Sequence, residues 1–487
     1  MDLTLLLSMA ADGFGDRVVV GPRDGGLTAQ RLRELAVGGA AVVRAAGADA
    51  VVYLAVNGPA FPVALFAAAY AGVPLVPVNY RLGEEQLTSV LAHHPRALVI
   101  GDDALPAADW LARAAELAGE AEPVPTDGPA VVIYTSGTTS APKGVLLRHE
   151  NLVSYVLGTV EFASAGPDDA ALMSVPPYHI AAVSNTLTNL FAGRRVLVLE
   201  AFDPVGWLEL VRREAVTSAM VVPTMLARLL DADGDRSVPS LRSLAYGGAP
   251  MPARVIGRAL REWPHVDFVN AYGLTETSST VTVLGPEEHR AALVSDDPAI
   301  RARLASAGRA VPGIELEVRD ESGAPVPPGA SGLIWVRGGQ VAGAYAGSGP
   351  ALDERGFFCT RDQGRLDDEG YLFVEGRVDD TIIRGAENVA PAEVEDVLLR
   401  HPEVTDAAVV GVPDEEWGQR IEAAVVVRAG SLLTPEELRA FARASLRGSR
   451  TPDRIDFWGQ LPRTVTGKLL RREVVAALVD RQPARAG

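Results

Sequence analysis

The sequence predicts an α/β protein built in two unequal parts. The first is a large N-terminal domain of α/β layers with parallel-rich sheets, carrying a small β-barrel-like part. The second is a small α+β C-terminal domain. Three observations predict this. Strand-like apolar runs alternate with helix-like stretches through most of the chain. After about Gly308 the texture changes to short runs separated by Gly, Pro and Asp turns. The length of 487 residues also exceeds what one core usually holds, about 250–300 residues.

The elements follow in order. Val51–Ala55, Leu75–Val78, Ala97–Ile100, Ala130–Tyr134, Ala171–Val175, Arg195–Leu199, Ser218–Val222 and Val266–Asn270 read as strands. Continuous apolar runs of this length suit strands covered on both faces. Leu27–Ala46, Glu84–His93 and Pro204–Glu214 between them read as helices. The most apolar window, Pro59–Val78, is interrupted by Pro62, Gly72, Pro74 and Pro77. It therefore reads as a buried helix through Ala71 and a buried strand after it, and not as a membrane span. Ile314–Arg319, Gly332–Arg337 and Gly370–Glu375 read as short antiparallel strands. Beyond them Pro391–Arg400 is a helix, Val404–Gly411 and Ile421–Val427 are strands, and Thr434–Arg447 is a helix. The boundary falls at Val378–Asp379, after a Gly376-Arg377 turn, giving domains of residues 1–378 and 379–487 with a short hinge. Residues 482–487 read as a frayed tail.

Composition narrows the function classes. A hydrophobic fraction of 48% with 22% charged residues fits a packed globule. The net charge of -17 argues against a general nucleic-acid or anionic-membrane surface. Cys359 stands alone, so no internal disulfide or cysteine metal cluster forms, and a reducing, cytoplasmic setting is the default. The first residues carry Asp2 and no basic start, unlike a secretory signal.

Of the 45 basic residues other than histidine, Lys143 and Lys468 are the only lysines; the rest are arginine. Arginine is a planar fork with a permanent charge, whereas lysine is a compact charge on a flexible stem. Lys143 closes the run Tyr134-Thr-Ser-Gly-Thr-Thr-Ser-Ala-Pro-Lys-Gly144, and Lys468 closes Leu461-Pro-Arg-Thr-Val-Thr-Gly-Lys468. Both surround one cation with hydroxyls and glycine, the chemistry of phosphate handling. In the first run Thr135, Ser136, Thr138, Thr139 and Ser140 supply O–H donors, and Gly137 and Gly144 let the backbone bend toward a ligand. The spacing is not that of a Walker loop.

That run resembles the signature of the adenylate-forming superfamily, which contains acyl-CoA synthetases, aryl-acid ligases, luciferases and peptide-synthetase adenylation domains. Further motifs follow in the family's order. Asn270-Ala-Tyr-Gly-Leu-Thr-Glu276 is similar to its adenine and metal motif, and Gly247-Gly-Ala-Pro250 to the loop packed on the nucleotide. Thr360-Arg-Asp362 and Gly376-Arg377 resemble the ribose-binding pair. Asp379 falls on the hinge position. Residues 385–395 resemble the small-domain loop, with Gly385, Ala386 and Glu387 at the thiol channel, and Pro462–Lys468 the catalytic lysine loop. Ser174–Ala181 is similar to the motif guarding the acyl site, with His179 placed to orient the carboxylate or gate the pantetheine channel.

The resemblance implies ATP, Mg²⁺ and coenzyme A as reactants or cofactors, and a small carboxylic acid as substrate. Thr135, Ser136, Gly137, Thr138, Thr139, Lys143, Gly248, Ala249, Pro250, Asn270, Ala271, Tyr272, Gly273, Asp362 and Arg377 would bind ATP or AMP. Thr275 offers a hydroxyl to the α-phosphate, and Glu276 is a hard oxygen ligand for the metal. Lys468 would meet the charge that builds on the bridging oxygen in the transition state. A mobile C-terminal domain would then turn about Asp379 to exchange Lys468 for the thiol channel. Tyr178, Ala181, Asn185, Tyr246 and Gly247 would line the acyl pocket. Residues 174–191 hold no charged side chain, which favours an uncharged acyl or aryl acid. Met225 suits either the pocket wall or the core. The chain also departs from the family pattern. Ser140, Arg361 and Ala386 replace glycines, Leu333 replaces an acidic residue, and Ser449-Arg450 stands for a Tyr-Lys pair.

The expected function is an AMP-forming acid–CoA ligase. Two other readings remain: an adenylating enzyme that loads the phosphopantetheine thiol of a carrier protein, and a nucleotide-binding regulatory protein. A homodimer is compatible with all three.

Overall fold

The computed structural model describes residues 2–119, 121–135, 143–348, 351–384, 387–414, 417–446, 448–464, 467 and 469–481, with the side chains of Glu387 and Asn388 left aside. Among these residues the strands assemble into four sheets. The largest has nine strands, ordered Arg309–Ala310, Ser279–Leu284, Asp267–Leu274, Ser243–Gly247, Ser218–Val221, Ala170–Met173, Arg195–Val198, Val18–Val20 and Leu27–Thr28. From Asp267–Leu274 to Val18–Val20 its neighbours run parallel. A five-stranded sheet is ordered Leu98–Gly101, Val51–Leu54, Leu75–Pro77, Pro129–Thr135 and Lys143–Arg148, parallel except for the last pair. The predicted strands of these two sheets form within a residue or two of their expected ends, because both-face burial demands unbroken apolar runs; Val266–Asn270 alone runs on, to Leu274.

Helices fill the space between these two sheets. Ala60–Ala71 is buried at every residue and stops at Gly72 in the left-handed conformation. A helix apolar all round needs such surroundings, and among the described residues no helix is long and apolar enough to cross a membrane. The same core joins Val51, Tyr53, Leu75 and Val131 from one sheet to Val19, Met173 and Val196 from the other.

The barrel-like part is a four-stranded antiparallel sheet, ordered Glu315–Arg319, Gly332–Arg337, Phe358–Leu366 and Leu372–Arg377. The sheet is open, and Ile334, Val336, Phe358 and Leu372 from it pack with Val281 and Val341. The turn expected at Gly376-Arg377 is instead the end of a strand. Arg377 pairs in register with Asp362, and the chain bends one step later, in the 3₁₀ turn Val378–Asp380.

The C-terminal part pairs Glu387–Val389, Ile382–Arg384, Gly418–Val427 and Val404–Asp414, with Arg454–Phe457 parallel to Gly418–Val427. Helices Pro391–Leu399 and Pro435–Ser445 cover one face, and Arg471–Asp480 packs on the other.

Candidate active site

In an open parallel sheet, ligands bind beyond the carboxyl ends of the strands. The register of the nine-stranded sheet brings the predicted motifs to that edge. Met173 lies beside Met220, Val221 beside Tyr246, and Gly247 beside Ala271. The segments that follow these strands therefore emerge together: the loops with Tyr178, His179 and Gly248 to Pro250, the start of the helix Pro223–Leu230 with Thr224, and the 3₁₀ turn with Thr275-Glu276. Gly247 is required there by close packing, since a Cβ would stand 2.3 Å from the Ala271 carbonyl oxygen.

The phosphate-loop candidates divide. Thr135 ends one strand and Lys143 begins the next, paired in register, with the Thr135 Oγ1 donating to the Lys143 carbonyl at 3.4 Å. Ser136, Gly137, Thr138 and Thr139 lie outside the described residues. The return strand Lys143–Arg148 was not among the predicted elements; it holds the lysine at the base of a hairpin.

Tyr272 and Asp362 meet although 90 positions separate them. The Tyr272 hydroxyl donates to Asp362 Oδ2 at 2.6 Å, and Arg377 Nε lies 3.5 Å from Oδ1. Asp362 is buried, which rules out the solvated turn carboxylate that its acidic neighbours resemble. Burial and the Asp362 charge both push the Tyr272 phenol well above its ordinary range, so it stays a donor. The Arg377 guanidinium also donates to the Thr360 carbonyl at 3.3 Å. The Asn270 amide donates to the Ser306 carbonyl at 2.9 Å, which ties the strand to a neighbouring turn and fixes the side chain through its nitrogen.

Glu276 sits in the 3₁₀ turn Thr275–Thr277, and its Oε1 accepts from the Tyr345 hydroxyl at 2.9 Å. Sequence reading missed Tyr345, whose only signal was an aromatic hydroxyl within a Gly/Ala stretch. Its phenol is also driven upward, by burial first and then by Glu276. No group of three or more potential metal ligands occurs among the described residues. A single carboxylate fits Mg²⁺, which keeps several waters and takes most of its protein-independent ligands from phosphates.

At the acyl side, the Tyr178 ring packs against His179 at 4.7 Å and edge-on to Tyr80 at 5.6 Å. Burial lifts the Tyr178 phenol to about 12. His179 caps the helix Ile180–Ala192, and Ala181, Asn185 and Thr188 lie half-buried along one face of it. The Asn185 amide donates to the Met220 sulfur at 3.2 Å, and its Oδ1 accepts from Asn189 at 3.1 Å. Arg194 in turn donates to Asn189 Oδ1 at 2.8 Å. A cation just beyond the charge-free 174–191 stretch thus reaches back toward the pocket through two amides. Tyr246 does not line the pocket: its ring is fully buried in the core behind the sheet, and its hydroxyl bonds His289 Nε2 at 2.7 Å. A period of two sends it to the opposite face from Ala245 and Met220. Met225 is core as well.

Lys468, Gly385 and Ala386 lie outside the described residues, as does the Glu387 side chain. Gly467 is described. It is buried with φ of +77°, and a Cβ on it would come 2.6 Å from Thr224 Oγ1. The residue preceding Lys468 therefore abuts the first turn of the helix Pro223–Leu230, at the carboxyl edge of the large sheet. Arg254 adds a second contact across the two parts, donating to the Thr405 carbonyl at 2.7 Å.

Residues 7–346 match the AMP-binding enzyme family, and residues 393–468 match the AMP-binding enzyme C-terminal domain. The chain belongs to the AMP-binding enzyme family. It is 38% identical over 469 residues to a feruloyl-CoA synthase of Amycolatopsis sp, covering 91% of this chain and 92% of that one. It is 33% identical to the fatty acid–[acyl-carrier-protein] ligase ScoC of Streptomyces coeruleorubidus, covering 88% and 86%. ATP-bound MatB from Rhodopseudomonas palustris superposes with a TM-score of 0.86 at 26% identity, covering 99% of both chains. This AMP-binding enzyme is therefore adenylate-forming and most like the acyl-CoA synthetases.

Proposed function

We propose that this AMP-binding enzyme is an ATP-dependent carboxylic acid–CoA ligase that works through an acyl-adenylate. The observation that supports the reading is the close approach of Gly467, the residue before Lys468, to Thr224 at the carboxyl edge of the large sheet. The substrate carboxylate attacks the ATP α-phosphorus, the bond to the bridging oxygen breaks, and pyrophosphate leaves. Lys468 meets the charge on the bridging oxygen, and Thr275 donates to the α-phosphoryl oxygens. Asp362 accepts from the ribose hydroxyls, with Arg377 beside it. Glu276 would hold Mg²⁺, which supplies charge neutralisation on the phosphates.

The C-terminal domain, residues 379–487, then turns about Asp379 and presents Gly385, Ala386 and Glu387. The CoA thiol attacks the acyl carbon, and AMP leaves. Two reactions at one centre call for two closed arrangements. The mostly apolar strip formed by Ala181, Met220 and Ala245, with Asn185 beside it, supports an aryl or acyl acid with a polar oxygen at its far end. The feruloyl-CoA synthase relative is in keeping with that choice. A second reading, transfer to a carrier-protein thiol, is favoured by the likeness to an acyl-carrier-protein ligase.

The test is pyrophosphate release with ATP and Mg²⁺ across fatty acids, aryl acids, dicarboxylates and amino acids, each with and without CoA. Acid-dependent release that accelerates with CoA supports the ligase. Release that responds only to a holo-carrier protein selects the second reading. ATP binding without any release would return the regulatory reading.

A further inference from the structure

The consecutive residues Asp379 and Asp380 are held by different parts of the chain. Asp379 Oδ1 accepts from Arg361 Nη2 at 2.8 Å. Arg361 belongs to the strand Phe358–Leu366 of the large part. Asp380 Oδ2 faces Arg471 Nε at 3.5 Å. Arg471 forks onto Glu395 at 2.6 and 3.0 Å and donates to the Val409 carbonyl at 2.6 Å, all within the small part.

Arg361 also occupies an awkward backbone position. Its φ is +62°, in the left-handed region where a Cβ crowds the following carbonyl. Glycine would sit there without strain. The pair it forms is partly solvated, with Arg361 55% and Asp379 25% exposed at the side chain. Pairs of that exposure contribute little to stability. Strain that stability does not explain, next to Asp362 and at the junction of two parts, points to a functional constraint.

We propose that Arg361 is a positioning residue that anchors the pivot of the domain rotation; this rests on the reading that the small domain turns about Asp379. Rotation about the Cα–C bond of Asp379 leaves its Cβ and carboxylate with the preceding chain. Everything from Asp380 onward moves. With Asp379 tied to the large part and Asp380 to the small one, both ion pairs survive the turn. The torsion is then confined to the single linkage between the two aspartates. A hinge so confined returns the small part to two defined arrangements, where an untethered turn would spread the motion over residues 377–381.

The experiment compares Arg361→Gly, Arg361→Lys, Asp379→Asn and the Arg361→Gly/Asp379→Asn double variant. The acid giving the fastest release in the wild type is used, together with its synthetic acyl-adenylate. Adenylate formation and thiolysis of supplied adenylate are measured separately, with the KM for ATP and the thermal midpoint. Arg361→Gly is expected to slow both half-reactions by about threefold or more, the size of a partly exposed ion pair. The KM for ATP stays within about twofold and the midpoint does not fall, since glycine fits the backbone. Asp379→Asn gives a similar loss, the double variant is no worse than either single one, and Arg361→Lys recovers part of the rate. Slower adenylation with unchanged or faster thiolysis would overturn the anchor, because the pair would then hold only one closed state. Additive losses, or no loss, would overturn it as well. A wild type that shows no acid-dependent release, or no step with CoA, instead removes the underlying reading before any variant is compared.

Discussion

Arg463 grips Asp406 with two hydrogen bonds, of 2.7 and 3.1 Å, and with its remaining arm donates to the Gly467 carbonyl at 2.7 Å. Asp406 lies in the strand Val404–Asp414. The backbone next to Lys468 is thereby fixed to a rigid element by a charge-assisted fork.

Breaking that fork should mimic, in weaker form, the loss of the lysine. Lys468→Ala is expected to abolish adenylate formation and to spare thiolysis of supplied acyl-adenylate. Asp406→Asn should slow adenylate formation about tenfold, the equivalent of one charged hydrogen bond, with thiolysis again spared. Single-turnover assays of the two half-reactions check this; equal losses in both would contradict the lysine assignment.

Tyr345 steadies the Glu276 carboxylate from a separate segment of chain. Tyr345→Phe removes a hydrogen bond to a charged group and should lower kcat/KM for Mg·ATP by up to about tenfold, with the KM for the acid nearly unchanged. Because burial and Glu276 hold the phenol protonated, no alkaline limb of the rate profile arises from Tyr345. Titrations of Mg²⁺ and ATP on both proteins read this directly.

Asn185 is the one amide on the half-buried face it shares with Ala181 and Thr188. Asn185→Leu should reduce kcat/KM by about tenfold or more for acids bearing a distal hydroxyl, and raise it for plain aliphatic acids. The same acid panel run on both proteins measures the shift. A uniform change across all acids would place Asn185 in scaffolding.

Stability should fall in mild acid. Burial lowers the pKa of His289 and of His149. Each is neutral in the fold, while the unfolded chain takes up protons from about pH 6.5 downward. Their contribution is complete above that value and is lost as pH falls through it toward the folded-state pKa. The thermal midpoint should therefore decline between about pH 6.5 and 5. His289→Gln, which keeps an acceptor near Tyr246, should show a shallower decline. Calorimetry across that interval checks this; a midpoint that stays flat or rises as pH falls would contradict it.

What the sequence determined by itself was the material that local chemistry dictates. Unbroken apolar runs gave the parallel strands, breakers split Pro59–Val78 into a helix and a strand, and the ordered motifs marked the AMP-binding family. The edge strand Lys143–Arg148 escaped notice, since its exposed ends leave mixed polarity and no clear run. Tertiary structure alone decided which distant residues meet. The Tyr272–Asp362 bond spans two sheets, and Tyr345 finds Glu276 through the pairing of Ala342 with the Glu276 carbonyl. Strand register turned Tyr246 away from the pocket into the core, a choice of face that a list of motif positions does not carry. The tether from Arg361 to Asp379 depends on a left-handed backbone angle and on the path of a strand. Both are consequences of the assembled sheet, and neither is visible in the order of residues.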